Sequence, residues 1–198
     1  YAAKVDAKLV IQPTAALSPD VVGMPNNLPW NKIEQIKSLP MDQLALFIDA
    51  DIFIKPDAPD IFDHGPGLWA ALDVAMFVDP PYVSQMNEWV GDGFDYTQHY
   101  LNFGVLLIDG QTATEFAKFL VPPYEQGPFY SIDQNYLNRA LYQSKIQWKL
   151  LDQAWNTPNP ILTKDLSTGY FLHTNLVAEA QAKDVWLRKF RNHFSAAS

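Results

Sequence analysis

The stretch Leu44-Ala45-Leu46-Phe47-Ile48-Asp49-Ala50-Asp51-Ile52-Phe53-Ile54 decides how the rest of the chain is read. Five apolar residues in succession have the pattern of a strand buried on both faces. They run directly into two carboxylates one residue apart. In open α/β sheets ligands collect at the carboxyl ends of strands, where loops diverge and polar groups can reach a crevice. Asp49 and Asp51 repel each other and are costly to desolvate, so a hard divalent cation, Mg²⁺ or Mn²⁺ first, is their natural partner. A solvated turn after a strand also carries acidic pairs, and the other segments decide between the two readings.

The composition bounds the answer. A chain of 198 residues fits one domain, 1–198, large enough to bury a core without staples. With 48% apolar and 18% charged residues it is globular rather than disordered. A net charge of −8 argues against a nucleic-acid partner, because phosphate backbones are held by basic surfaces. A small anionic ligand would need a metal to mediate. The absence of cysteine excludes disulfides, thiolate zinc sites and thiol catalysis, and agrees with a cytoplasmic location. No apolar run approaches the roughly 20 residues that span a bilayer, so no transmembrane segment is expected. No secretory leader is visible, although a first residue Tyr1 leaves upstream processing open.

Along the chain, Tyr1 to Ala7 has the look of a helix tail and Lys8 to Gln12 of a short strand. Residues 14–28, with Pro19, Gly23 and Pro25, form a loop, and Trp30 to Leu39 a helix with Ile33 and Ile36 on one face, ending before Pro40. A proline-punctuated turn after Ile54 leads into a helical scrap. A second strand is expected over Val74 to Val78, and a long loop over 80–100 that could be a lid, an acceptor rim or an ordinary surface excursion. Val105 to Ile108 is another buried strand, preceded by Asn102 and by Gly104, which permits a ligand or backbone to come close. Thr112 to Glu115 and Ser131 to Gln134 have capping-box spacing and open helices. Asp133 in a first turn is stabilised by the helix dipole whether or not it does anything else. Ile146 to Leu151 reads as a half-exposed strand, Asp152 to Pro160 as a loop containing Trp155-Asn156, Tyr170 to His173 as a last strand, and Val177 to Phe194 as a terminal helix. A strand-end histidine is commonly a capped or core residue. Beside two strand-end aspartates it becomes a candidate ligand, and an oxygen, oxygen, nitrogen set suits Mn²⁺ better than Ca²⁺. Alternating strands and helices predict an α/β domain with a mixed, mainly parallel sheet.

In this order the segments resemble the retaining nucleotide-sugar glycosyltransferases of the GT-A fold, especially the glycogenin and lipopolysaccharide galactosyltransferase family. The resemblance runs from about Tyr1 to His173. Trp30-Asn31-Lys32-Ile33 leading to Asp49-Ala50-Asp51 is similar to that fold's approach to its Asp-x-Asp motif. Leu101 to Ile108 resembles the family's Asn-x-Gly-Val-x-Leu-Ile strand, Asp133-Gln134 its Asp-Gln segment, Trp155-Asn156 its Trp-Asn loop, and His173 the histidine that completes its metal site.

The resemblance implies Mn²⁺, with Mg²⁺ as the alternative, on Asp49, Asp51 and His173. It implies a nucleotide-sugar donor, a UDP-sugar first, and a saccharide, lipid or protein acceptor. Asn102, Gly104, Asp49, Trp155 and Asn156 would line the substrate, Asp133 would fix sugar hydroxyls, and Gln134 would lie near the anomeric carbon of a retained product. Two departures stand out. The family's lysine-proline-tryptophan after the histidine is replaced by Thr174-Asn175-Leu176, which leaves Lys183 as the nearest later candidate for a phosphate contact. The family's first, nucleotide-binding strand would precede Tyr1. Two other functions compete: a non-catalytic nucleotide-sugar or carbohydrate-binding domain of the same fold, and a metal-dependent phosphohydrolase with Asp49 as nucleophile. The latter leaves the Asn102-x-Gly104 strand without a role.

Overall fold

The nine residues Leu101–Asp109 form the strand on which the other elements are built. The computed structural model describes residues 1–11, 30–73, 80–122, 127, 132–158, 169–173 and 188. In chain order these give α1 (Asn31–Lys37), β1 (Leu44–Ile48), β2 (Ile52–Ile54), β3 (Leu68–Leu72), α2 (Pro80–Val90), α3 (Tyr96–His99) and β4 (Leu101–Asp109). There follow α4 (Gly110–Ala117), α5 (Ile132–Ser144), β5 (Trp148–Leu150), β6 (Thr157–Pro158) and β7 (Phe171–His173), with 3₁₀ turns at Ile61–His64 and Gln153–Asn156. The expected strand over 74–78, Lys183 and all of the terminal helix except Arg188 lie outside the described residues.

One sheet has the order β1-β4-β3-β5 and a smaller one the order β2-β7-β6. The domain is the expected mixed α/β type, but the expected dominance of parallel pairing is not seen among the described strands. β1/β4, β3/β4 and β2/β7 are antiparallel, and β3/β5 and β6/β7 parallel. A continuous apolar run reports burial, and strand direction depends on connections that hydrophobicity does not encode. β1 is also only half-buried, with Ile48 36% exposed, because among the described residues β4 is its one neighbour.

The core divides on the two faces of β4. Leu101, Phe103, Leu106 and Ile108 pack with Trp30, Ile33 and Ile36, with Phe116 of α4 and with Leu137 and Leu141 of α5. Val105 and Leu107 pack on the opposite side with Ala58, Ile61, Trp155 and Phe171. The inward parity changes from odd to even between Phe103 and Leu106, which a regular strand with its period of two cannot do. The register with β3 jumps at the same place, from Ala70 opposite Leu106 to Ala71 opposite Asn102. β4 therefore carries a bulge around Gly104, a device that re-aims side chains beside functional sites.

Several local expectations are corrected. Residues 80–100 are mostly helical: α2 opens on a proline, which a first turn tolerates, and Asp95 caps α3 by accepting the Thr97 N–H at 2.9 Å. Met86, Val90, Phe94, Tyr96 and Tyr100 form their own buried cluster there. α4 starts two residues before Thr112, because Asp109 is the cap and accepts the Thr112 N–H at 3.0 Å. Tyr1–Ala7 is a set of turns rather than a helix tail. The Tyr1 hydroxyl donates to the Pro59 carbonyl at 2.6 Å and accepts the Ile61 N–H at 2.8 Å. Lys8–Ile11 is not a strand.

Candidate metal centre

Asp49 and Asp51 lie where the chain leaves the first sheet for the second. The Asp49 N–H donates to the Gly104 carbonyl at 2.9 Å, continuing the β1/β4 ladder by one bond. The Ile52 N–H then donates to the Asp49 carbonyl at 3.2 Å, which tightens the Asp-Ala-Asp turn. β2 pairs with β7 so that Ile52 stands opposite His173, and this register brings the imidazole to the carboxylates. His173 Nε2 is 3.2 Å from Asp51 Oδ1 and 3.9 Å from Asp49 Oδ2. One ligand atom from each of the three residues lies within 4.8 Å of the others. His173 is buried, while the carboxylates retain access to solvent.

The other side of the imidazole is held by amides. His173 Nδ1 is 2.9 Å from Asn156 Oδ1, and Asn156 Nδ2 donates to Asn102 Oδ1 at 2.9 Å. Asn102 Oδ1 also accepts the Gly104 N–H at 2.9 Å, and Asn102 Nδ2 donates to Asp73 Oδ1 at 3.2 Å. A backbone N–H can only donate, so the Gly104 bond identifies the Asn102 oxygen, which identifies the Asn156 nitrogen and leaves the Asn156 oxygen for Nδ1–H. In the neutral imidazole Nε2 then carries the lone pair, on the side that faces the two carboxylates. Three acceptors facing one point fit a divalent cation with N and O ligands, and the partnered Nδ1–H is the usual support of a ligating histidine. Gly104 is needed for the imidazole itself: a Cβ there would lie 2.3 Å from His173 Cε1 and 2.7 Å from Nδ1.

Beside the carboxylates stands a cation that the sequence did not single out. Lys32, on α1 with 10% of its side chain exposed, donates to Asp49 Oδ1 at 2.7 Å and to the Phe103 carbonyl at 2.8 Å, and lies 3.9 Å from Asp133 Oδ2. Burial alone would lower its pKa, but the charges of Asp49, Asp133 and Asp51 outweigh that and hold it above the ordinary lysine value. Burial raises the Asp133 pKa above the usual carboxylate value, Lys32 opposes this, and Asp49 adds to it. Gln134, next to Asp133 in the first turn of α5, donates to Asp73 Oδ2 at 3.3 Å, and the Tyr96 hydroxyl donates to the same oxygen at 3.1 Å. Burial and then the charge of Asp73 push the Tyr96 hydroxyl far above its ordinary pKa, so it stays a donor.

The structure thus gathers Asp49, Asp51, His173, Asn102, Gly104, Asn156, Asp133 and Gln134 around one region. Trp155 is 5% exposed, its ring packed on Tyr170 and Phe171 in the second core. Asp73 has a legible signal, a carboxylate directly after the apolar run Leu68 to Leu72, which is β3. Lys32 has none, since a lysine between helical apolar positions ordinarily reads as solvated.

No protein-family model and no curated protein matches the chain. Solved structures do match. The galactosyltransferase LgtC, solved with donor and acceptor sugar analogs, superposes with a TM-score of 0.57 at 14% identity, over 91% of this chain and 73% of that one. The bifunctional glycosyltransferase WbbM gives a TM-score of 0.54 at 13% identity, over 78% of this chain and 32% of its own. Mouse xyloside xylosyltransferase 1 gives 0.52 at 15% identity, over 77% and 64%. The fold is therefore the GT-A fold of these glycosyltransferases, as the resemblance of the ordered segments implied.

Proposed function

We propose that this chain is a retaining glycosyltransferase that moves a hexose from a nucleoside-diphosphate sugar, a UDP-sugar first, to a saccharide, lipid or protein acceptor. The observation that carries the reading is the convergence of two carboxylates and an imidazole nitrogen at a strand end, in a chain that shares its fold with sugar transferases. Asp49, Asp51 and His173 would hold Mn²⁺, or Mg²⁺ in its place, which supplies charge neutralisation of a diphosphate and Lewis-acid assistance to its departure. The cation would offset the repulsion between so anionic a donor and a chain of net charge −8.

In this reading Lys32 holds one oxygen of Asp49 and leaves the other facing His173. Asp133 binds hydroxyl groups of the donor sugar, and Gln134 lies beside the anomeric carbon. A carboxamide is a poor nucleophile, which favours acceptor attack on the face that the leaving group departs from, through an oxocarbenium-like state. Lys183 remains a proposed phosphate contact.

Thermal melts against a panel of nucleotide sugars, with and without Mn²⁺, test the reading. At least one donor raises the melting temperature in a metal-dependent way. Asp51→Ala abolishes that shift and metal-dependent donor hydrolysis while leaving the circular dichroism spectrum unchanged, since it removes a ligand and no core contact. Silence from every donor, or unchanged turnover in Asp51→Ala, would overturn the assignment. The anomeric NMR signal of the product tests retention separately.

A further inference from the structure

The two asparagines behind His173 have a task that a list of substrate contacts does not capture. We infer that Asn102 and Asn156 are positioning residues, an amide chain anchored on the Gly104 N–H that holds the His173 proton on Nδ1 and turns the Nε2 lone pair toward Asp49 and Asp51. The inference rests on reading the three ligand residues as a cation site, and it assigns the machinery that makes the site ready before any cation arrives.

Each link is buried and directional. Asn102, Asn156 and His173 are 5%, 3% and 4% exposed, so bulk water does not compete for their bonds. The chain begins at a group whose role cannot invert, the Gly104 N–H, and passes through Asn102 Oδ1 and Asn156 Nδ2 to Asn156 Oδ1 at His173 Nδ1. Turning the Asn156 amide over would set its oxygen against Asn102 Oδ1 and the Asn102 carbonyl, both acceptors, in place of its bonds of 2.9 and 3.3 Å. Asp73 secures the far end of Asn102 at 3.2 Å, which prevents that amide from turning over in its place. Without the chain, a neutral imidazole beside Asp51 at 3.2 Å would gain most by placing its proton on Nε2 and donating it to the carboxylate. That tautomer closes the ligand position. The β4 bulge at Gly104 supplies both the anchor and the space that a Cβ would take from the imidazole.

The test is the histidine tautomer in metal-free protein, read from ¹⁵N shifts and long-range ¹H–¹⁵N correlations at a pH where the imidazole is neutral. Wild-type His173 shows the Nδ1–H form. Asn156→Leu, near in volume but without hydrogen bonds, shifts it to Nε2–H and weakens Mn²⁺ affinity about 10- to 100-fold by calorimetry, as loss of a ligand's supporting bond does elsewhere. Asn156→Asp keeps an acceptor at Nδ1 and retains the Nδ1–H form, a rescue that a purely packing role would not give. Asn102→Ala gives a mixture of the two forms.

A wild-type protein in the Nε2–H form overturns the inference without any variant. So does Asn156→Leu with the tautomer and Mn²⁺ affinity both unchanged. Wild-type protein in the Nδ1–H form that binds no Mn²⁺ supports the relay and overturns the cation reading, so the two failures are distinguishable.

Discussion

Lys32 shows how one buried charge sets the behaviour of its neighbours. Its ammonium already neutralises part of the acidic group into which a divalent cation would have to come, so it stabilises the empty site and opposes the loaded one. Lys32→Met is expected to destabilise metal-free protein by about 1–3 kcal/mol in denaturant melts, less than for a fully buried pair because Asp49 is 38% exposed. The same variant gains more melting temperature from Mn²⁺ than wild type does. An equal or smaller gain would remove the lysine from the electrostatics of the site. Asp133 gives a pH prediction. Its folded-state pKa is raised above 3.8, so the folded state binds the proton more tightly than the unfolded chain. Its contribution to stability is complete below that unfolded value and is lost as pH rises through the folded one. In metal-free protein Asp133→Asn therefore flattens the decline of stability across this acidic window. A slope identical to wild type would contradict the assignment. Asp49 and Asp51 could be found in the sequence because strand ends and acidic pairs leave a local pattern. Asp73 follows the apolar run Leu68 to Leu72 in the same way, whereas Lys32 acts through a partner 17 residues away, and no local pattern records such a pairing.

At the scale of elements, the packing of α5 on β4 is supplemented by the hydrogen bonds of Asn138. Asn138 Oδ1 accepts the Leu101 N–H at 2.7 Å, and Asn138 Nδ2 donates to the Leu101 carbonyl at 2.9 Å and to the Gln134 carbonyl at 2.8 Å. The side chain thus does for the first residue of β4 what a neighbouring strand would do, and it ties the turn carrying Asp133 and Gln134 to the strand carrying Asn102 and Gly104. Asn138→Leu leaves the buried Leu101 backbone groups without these partners, which is expected to cost about 2–4 kcal/mol in a denaturant titration. A loss under 0.5 kcal/mol would show that the clamp is dispensable. The helices α1 and α5 were legible from their apolar spacing. Two things hid α2 and α3: a proline-rich entry that reads as a turn, and an aromatic cluster that buries itself rather than the main core. The bulge was invisible because Asn102-Phe103-Gly104 fits a regular strand equally well on paper. Only the partner strands reveal the change in parity.

For the molecule as a whole, strand composition announced an α/β domain but not the direction of its pairings, since those follow from where each connection crosses. It also gave no sign that the Asp-x-Asp turn joins two separate sheets, and this has a thermodynamic consequence. Binding of Mn²⁺ at 100 times its dissociation constant would add about 2.7 kcal/mol of stability. For a domain of this size that is about 5–10 °C in Tm, reversed by chelation. Because Asp49 follows a strand of one sheet and His173 ends a strand of the other, an ion gripped by both acts as a rivet driven through a seam. Its protective effect should be concentrated there: amide hydrogen exchange across β2 and β7 slows when Mn²⁺ is added, while β5, at the opposite edge of the first sheet from β1, changes little. Uniform slowing everywhere would mean that the ion merely shifts global unfolding. Slowing confined to the seam would mean that occupancy of the site and the mating of its two halves are one event seen from two sides.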